Sequence, residues 1–185
     1  MRRALVVCMV LIFLIGPGAL AGDRSLGLEG PVLITSAGQN LDALIIKTVV
    51  DELGISADYL ALAEPESLGN YRHVIITPGM SYKGLAVAQT TAEAEIQRTK
   101  NLVRAADELS CHVILLYLGG FVQGDVRSQE LVELLTPIAD VIIMYEDGGG
   151  PSDYFSRAAE EKGVPLFFIE DLGNLRGELK SIFGL

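Results

Sequence analysis

The feature that most constrains this chain is a series of short segments that are apolar from end to end. The clearest are His112-Val-Ile-Leu-Leu-Tyr-Leu118 and Asp140-Val-Ile-Ile-Met-Tyr145. A strand with one wet face alternates apolar and polar residues, whereas a strand covered on both faces is apolar throughout. Strands are expected at 32–36, 58–62, 74–77, 113–118, 141–145 and 166–169, several of them of this fully apolar kind. Between them, apolar residues recur at helical spacing. Leu41, Ile45, Val49 and Leu53 form one stripe, closed by Gly54 in the manner of a helix C-cap. Thr90 and Glu93 have capping-box spacing ahead of a helix carrying Ile96, Leu102, Val103, Ala106 and Leu109. Leu131, Leu134, Leu135 and Ile138 line a third helix. Phe155, Ala158 and Ala159 line a fourth that stops at Gly163, and Leu175, Leu179, Ile182 and Phe183 a last. Segment 64–71 has room for a single turn.

Strands separated by helices cannot pair as hairpins. They cross over, and right-handed crossovers build a parallel sheet with helices on both faces. The expected fold is therefore α/β, a three-layer αβα sandwich. Its parallel sheet has five or six strands in flavodoxin-like (Rossmann-like) order. A chain of 185 residues fits one such domain, here 31–185, after a short tail at 22–30.

Residues 1–21 carry a different signal. Met1-Arg2-Arg3 is basic, 4–15 is an uncharged apolar run, Gly16-Pro17-Gly18 breaks a helix, and Ala19-Leu20-Ala21 supplies small residues for cleavage. That order is a secretory signal peptide. The apolar run falls short of the roughly 20 residues a membrane span needs. The expectation is an exported protein, periplasmic or extracellular, with no retained span; a kept anchor is the alternative. Loss of Arg2 and Arg3 would leave 12 of the 14 Lys plus Arg against 24 Asp plus Glu, a net charge of −12. Such a surface repels nucleic-acid backbones and anionic headgroups. Cys111 would be left alone, without an internal disulfide partner.

In an open parallel sheet, ligands bind beyond the carboxyl ends of the strands. The loops expected there are 36–40, 78–84, 119–128, 146–153 and Glu170-Asp171, and they concentrate glycine and small polar residues. The candidate ligand-binding residues are Ser36, Gly38, Gln39 and Asn40; Gly79, Ser81, Tyr82 and Lys83; Gly119, Gly120, Arg127 and Ser128; and Glu146 and Gly148. Lys83 and Arg127 are the basic groups of these loops. With helix-start N–H groups near Asn40, Ser128 and Ser152 they suit an anion such as a carboxylate. Tyr82 and Phe121 offer apolar walls. Glu146, Asp147 and Asp153 crowd one loop, but three intervening glycines spoil any recognisable metal-loop spacing.

Known chemistries fit poorly. There is no phosphate loop, and no three-glycine dinucleotide fingerprint follows the first strand. His73 and His112 precede strands, so they should lie on the amino-terminal edge with Cys111, away from the glycine-rich loops. Val74-Ile-Ile-Thr-Pro-Gly79 looks like the corresponding strand of glutamine-amidotransferase-like proteins, but the nucleophile of that fold is missing. No catalytic, metal or cofactor residue is assigned. Carboxylates of Glu146, Asp147 and Glu170 keep a glycosidase-like or proton-transfer enzyme open as an alternative.

Gly30-Pro-Val-Leu-Ile-Thr-Ser-Ala-Gly-Gln39, Gly79-Met-Ser-Tyr-Lys-Gly-Leu85, Gly119-Gly120 with Arg127-Ser128, and Tyr154-Phe155 resemble the motifs of a bacterial family of exported proteins described only as a domain of unknown function. The resemblance runs from about Gly30 to Asp171. It implies no activity and directs attention to the same loops. The expected function is a module that holds a small polar or anionic molecule at the carboxyl edge of the sheet, with an envelope transporter or another envelope protein as partner. An envelope protein–protein interaction domain is a further alternative.

Overall fold

The computed structural model describes residues 26–119, 125–146 and 152–185. The signal segment 1–21, Gly120, Phe121, Asp147 and Gly148 lie outside the described residues. The elements run β1 (Val32–Ala37), α1 (Asp42–Glu52), β2 (Ala57–Tyr59), a 3-10 turn (Pro65–Asn70), β3 (His73–Pro78), α2 (Tyr82–Val87), α3 (Ala92–Glu108), β4 (His112–Tyr117), α4 (Val126–Leu135), β5 (Val141–Tyr145), α5 (Ser152–Lys162), β6 (Leu166–Ile169) and α6 (Leu172–Phe183).

The six strands form one sheet in the order β2-β1-β3-β4-β5-β6, and every pairing is parallel. This is the expected flavodoxin-like order with a sixth strand added beside β5. Successive strand residues point to opposite faces, so the apolar strands feed two cores. Val32, Ile34, Ile75, Ile114 and Ile143 pack against α1 and α6. Leu33, Val74, Ile76, Leu115 and Met144 pack against α3, α4 and α5. No helix among the described residues is long and apolar enough to cross a membrane.

Several local expectations shift. β2 is only three residues long. Segment 78–84, expected as a loop, enters α2 at Tyr82. The cap of α3 is Thr91, whose hydroxyl accepts from the Ala94 N–H, and not Thr90. The buried face of α1 is Ala43, Ile46, Val49 and Val50, while Leu41, Leu44 and Ile45 are exposed. Helix geometry explains the difference. A ladder of steps of four rotates about 40° per step, so 41-45-49-53 wraps around the helix instead of staying on one side. Truncating Ile46 to Ala is expected to cost about 2–4 kcal/mol in urea unfolding, and Ile45→Ala less than about 1 kcal/mol. Equal losses at the two positions would contradict this face.

Candidate functional site

The sheet order reverses between β1 and β3, so the crevice expected of such sheets lies between the loops that follow them. Here those loops touch. The N–H of Gly79 donates to Ala37 O at 2.9 Å and that of Ser81 to Gly38 O at 2.7 Å. Gly38 has φ +105°, and a Cβ there would lie 2.2 Å from Gly79 O. A Cβ on Gly84 would come within 2.0 Å of Gln39 O. Only glycine permits these approaches. Asn40 staples the two loops: its amide donates to Thr77 O at 3.0 Å and Gly79 O at 3.3 Å, and its Oδ1 accepts from the Thr77 hydroxyl and the Asp42 N–H.

Beneath the β1 loop lies a charged pair from α3 that sequence reasoning missed. Glu95 is 0% exposed and Arg98 7%. Glu95 Oε1 accepts from the Gly38 N–H at 2.9 Å, Gln39 Nε2 at 3.1 Å and Arg98 at 2.6 Å. Its other oxygen accepts from Arg98 Nε at 3.0 Å. Arg98 also donates to Ser36 O and Ala63 O, each at 2.6 Å. Burial alone would raise the Glu95 pKa. The hydrogen bonds and charge of Arg98, with the donors of Gly38 and Gln39, outweigh it and hold the carboxyl below its ordinary value. The expectation that Lys83 and Arg127 are the basic groups of this rim is thus corrected, because Arg98 lies in it too. A signal existed: stepping back from Leu102 by three, four and seven lands on Thr99, Arg98 and Glu95, the buried stripe of α3.

The open space lies on the β2 side of the joined loops. A cleft of about 480 Å³ is bounded by the β1 loop, the exit of β2 and α2; Asn40, Leu41, Leu62, Ser81, Lys83 and Val87 line it. Of the candidates, Gln39, Asn40, Ser81 and Lys83 line this cleft, with Gly38 and Gly79 behind them and Ser36 holding Arg98. Tyr82, on α2, is 62% exposed. Lys83 forms no ion pair among the described residues.

The other candidates are not in this cleft. Arg127 is bound to Glu93 at 2.6 Å and Glu130 at 3.3 Å, which leaves little charge for an anion. Ser128 is buried, receives the Met80 N–H and bonds Asp125, tethering α4 to the β3 loop. The expected free N–H groups are also partly taken, by Asn40 at α1 and Asp125 at α4. Gly119, after β4, has φ +101°. Glu146 lines a separate groove with Glu170 and Glu178, between the end of β5, β6 and α6, where no cation lines the walls among the described residues. Gly120 and Gly148 lie outside the described residues.

At the opposite edge, His73 and His112 open β3 and β4 in register, ring centroids 5.8 Å apart. Burial, then the charge of Asp140, pushes the Cys111 thiol up to about 11, so it is not a thiolate nucleophile at neutral pH. Burial lowers the His112 pKa, and neighbouring His73 lowers it further against the opposing pull of Asp140. Among the described residues, no three His, Cys, Asp or Glu gather as a metal would need.

Residues 29–183 match the family model described as a domain of unknown function, DUF6305, a span that takes in all the motifs on which the resemblance rested. No curated protein and no solved structure matches the chain.

Removing one member of the buried pair strands the other. Arg98→Met and Glu95→Gln should each lose about 3–5 kcal/mol, and the double variant clearly less than their sum, as a denaturation cycle would show. A folded pKa below the ordinary Glu value of 4.5 means that this stability is present above pH 4.5 and lost as pH falls further. Glu95→Gln should lack that slope. Asp42 behaves oppositely, because burial raises its carboxyl from 3.8 to about 6. The unfolded chain ionises first, so stability drops as pH rises from 4 to 6. Asp42→Asn should therefore unfold at a higher temperature than the parent at pH 7.5, with the gain vanishing below about pH 4.

Proposed function

We propose that this chain, which belongs to the DUF6305 family of domains of unknown function, is a binding module that holds a small polar or anionic molecule in the cleft between the β1 loop, the β2 exit and α2. One observation carries the reading: an open cleft of about 480 Å³ with an unpaired lysine in its wall, framed by loops that are locked together from below. The volume falls in the range of roughly 300–1,000 Å³ usual for small-molecule sites. Preorganised walls lower the ordering cost of binding. The basic start, apolar run and small-x-small triplet of residues 1–21 support work outside the cytoplasm, as a carrier to an envelope transporter.

A second reading is a protein-docking role. Leu41 is 73% exposed and Val87 84%, and both line the cleft. Exposed aliphatics grouped in this way mark interaction surfaces more often than scattered ones. The carboxylate enzyme is the weaker alternative, since Glu146 and Glu170 are exposed and lie across the sheet from Lys83.

Thermal-shift screening of the mature protein against carboxylates, amino acids and nucleotides tests the reading. A binder at a hundred times its dissociation constant should stabilise the fold by about 2.7 kcal/mol. The shift should vanish in Lys83→Gln and persist in Arg127→Gln. A shift that depends on Arg127 and ignores Lys83 would move the site to α4. Turnover abolished by Glu146→Gln would replace the reading with the enzyme.

A further inference from the structure

We infer that the cleft selects a monoanion with a short aliphatic body, a free carboxylate of the fatty-acid type; this rests on the binding reading above. Arg98 is buried and four of its five donors are taken by Glu95, Ser36 and Ala63. Arg127 is neutralised by Glu93 and Glu130, and Lys47 by Asp51. Among the described residues, Lys83 is left as the one uncommitted cation lining this cleft. On a chain whose formal net charge is −10, one lysine compensates one negative charge and not two.

The side-chain amides of the cleft narrow the class further. Both protons of the Gln39 amide are consumed, by Ala61 O and Glu95. Both protons of the Asn40 amide are consumed, by Thr77 O and Gly79 O. The side-chain donors left in the lining, among the described residues, are Lys83, Tyr59 and Ser81. Three donors suit one carboxylate. A sugar or a nucleotide, with many hydroxyl or ring groups to satisfy, would bury polar atoms without partners, at a cost for each. What remains of the wall is aliphatic: Leu41, Ala61, Leu62, Val87 and Ala88. Apolar area of this kind binds methylene groups and discriminates by chain length.

Calorimetry of the mature protein with butyrate, hexanoate and octanoate tests this, with hexanol and succinate as the uncharged and dianionic controls. Affinity should tighten by up to about fourfold per added methylene. Hexanoate should exceed hexanol and succinate by tenfold or more. Lys83→Gln should erase the advantage over hexanol, and Val87→Glu should weaken hexanoate at least tenfold. Both side chains are exposed, so neither change threatens the fold. Succinate or inorganic phosphate binding as tightly as hexanoate, and through Lys83, would overturn the aliphatic class and leave the binding reading standing. Hexanoate binding indifferent to both substitutions would overturn both. So would silence toward every anion. If that silence came with a dimer in light scattering that Val87→Glu dissolves, the face would belong to a second copy of the chain.

Discussion

A carboxylate with no exposed surface and a guanidinium almost as deeply buried organise the carboxyl rim of this sheet. Each ion leaves water at a cost of several kcal/mol, and their mutual attraction offsets that cost only when the remaining donors and acceptors are matched. Here they are. Glu95 takes N–H groups from Arg98, Gly38 and Gln39, and Arg98 donates two more to the carbonyls of Ser36 and Ala63. An apolar pair of similar volume would fill the space about as well. It could not reach into two loops at once and hold their backbones. The pair's contribution is therefore positional: α3 grips the end of β1 and the segment after β2.

Further hydrogen bonds within the rim decide which of its residues face open space. Polar side chains in these loops look available in a linear sequence, yet most point at their own framework. Asn40 closes the gap between two loops, Ser128 joins α4 to the β3 loop, and Ser81 accepts from the Gly84 N–H at the start of α2. Glycine matters here for approach as much as for torsion. At Gly84, whose φ is ordinary, the missing Cβ is what lets Gln39 O sit so close.

The sheet was legible because its information is local and repeated. End-to-end apolar runs mark doubly covered strands, and β5 and β6 begin and end where those runs do. The amino-edge location of His73 and His112 followed from the same parallel logic. The rim was legible only in part. The loops that meet could be named, but Arg127 could not be known to lie against Glu93, which stands 34 residues away in sequence. Nor does a Glu-x-x-Arg spacing on a helix declare itself buried, since the same spacing is common on wet faces. Its burial depends on tertiary contacts with segments far off in the chain.

The two walls of the cleft are not equally fastened. One is backbone pressed on backbone, where Gly38 meets Gly79 and Gly84 meets Gln39. The other follows β2, an edge strand in register with β1 over three residue pairs and open to solvent on its outer side. Thermal motion has the least to break at that margin. Breathing of the cavity would be one-sided: the outer margin of β2 yields first, while Ala61 and Ala63, pinned by Gln39 and Arg98, stay with the paired glycines as the fixed jamb.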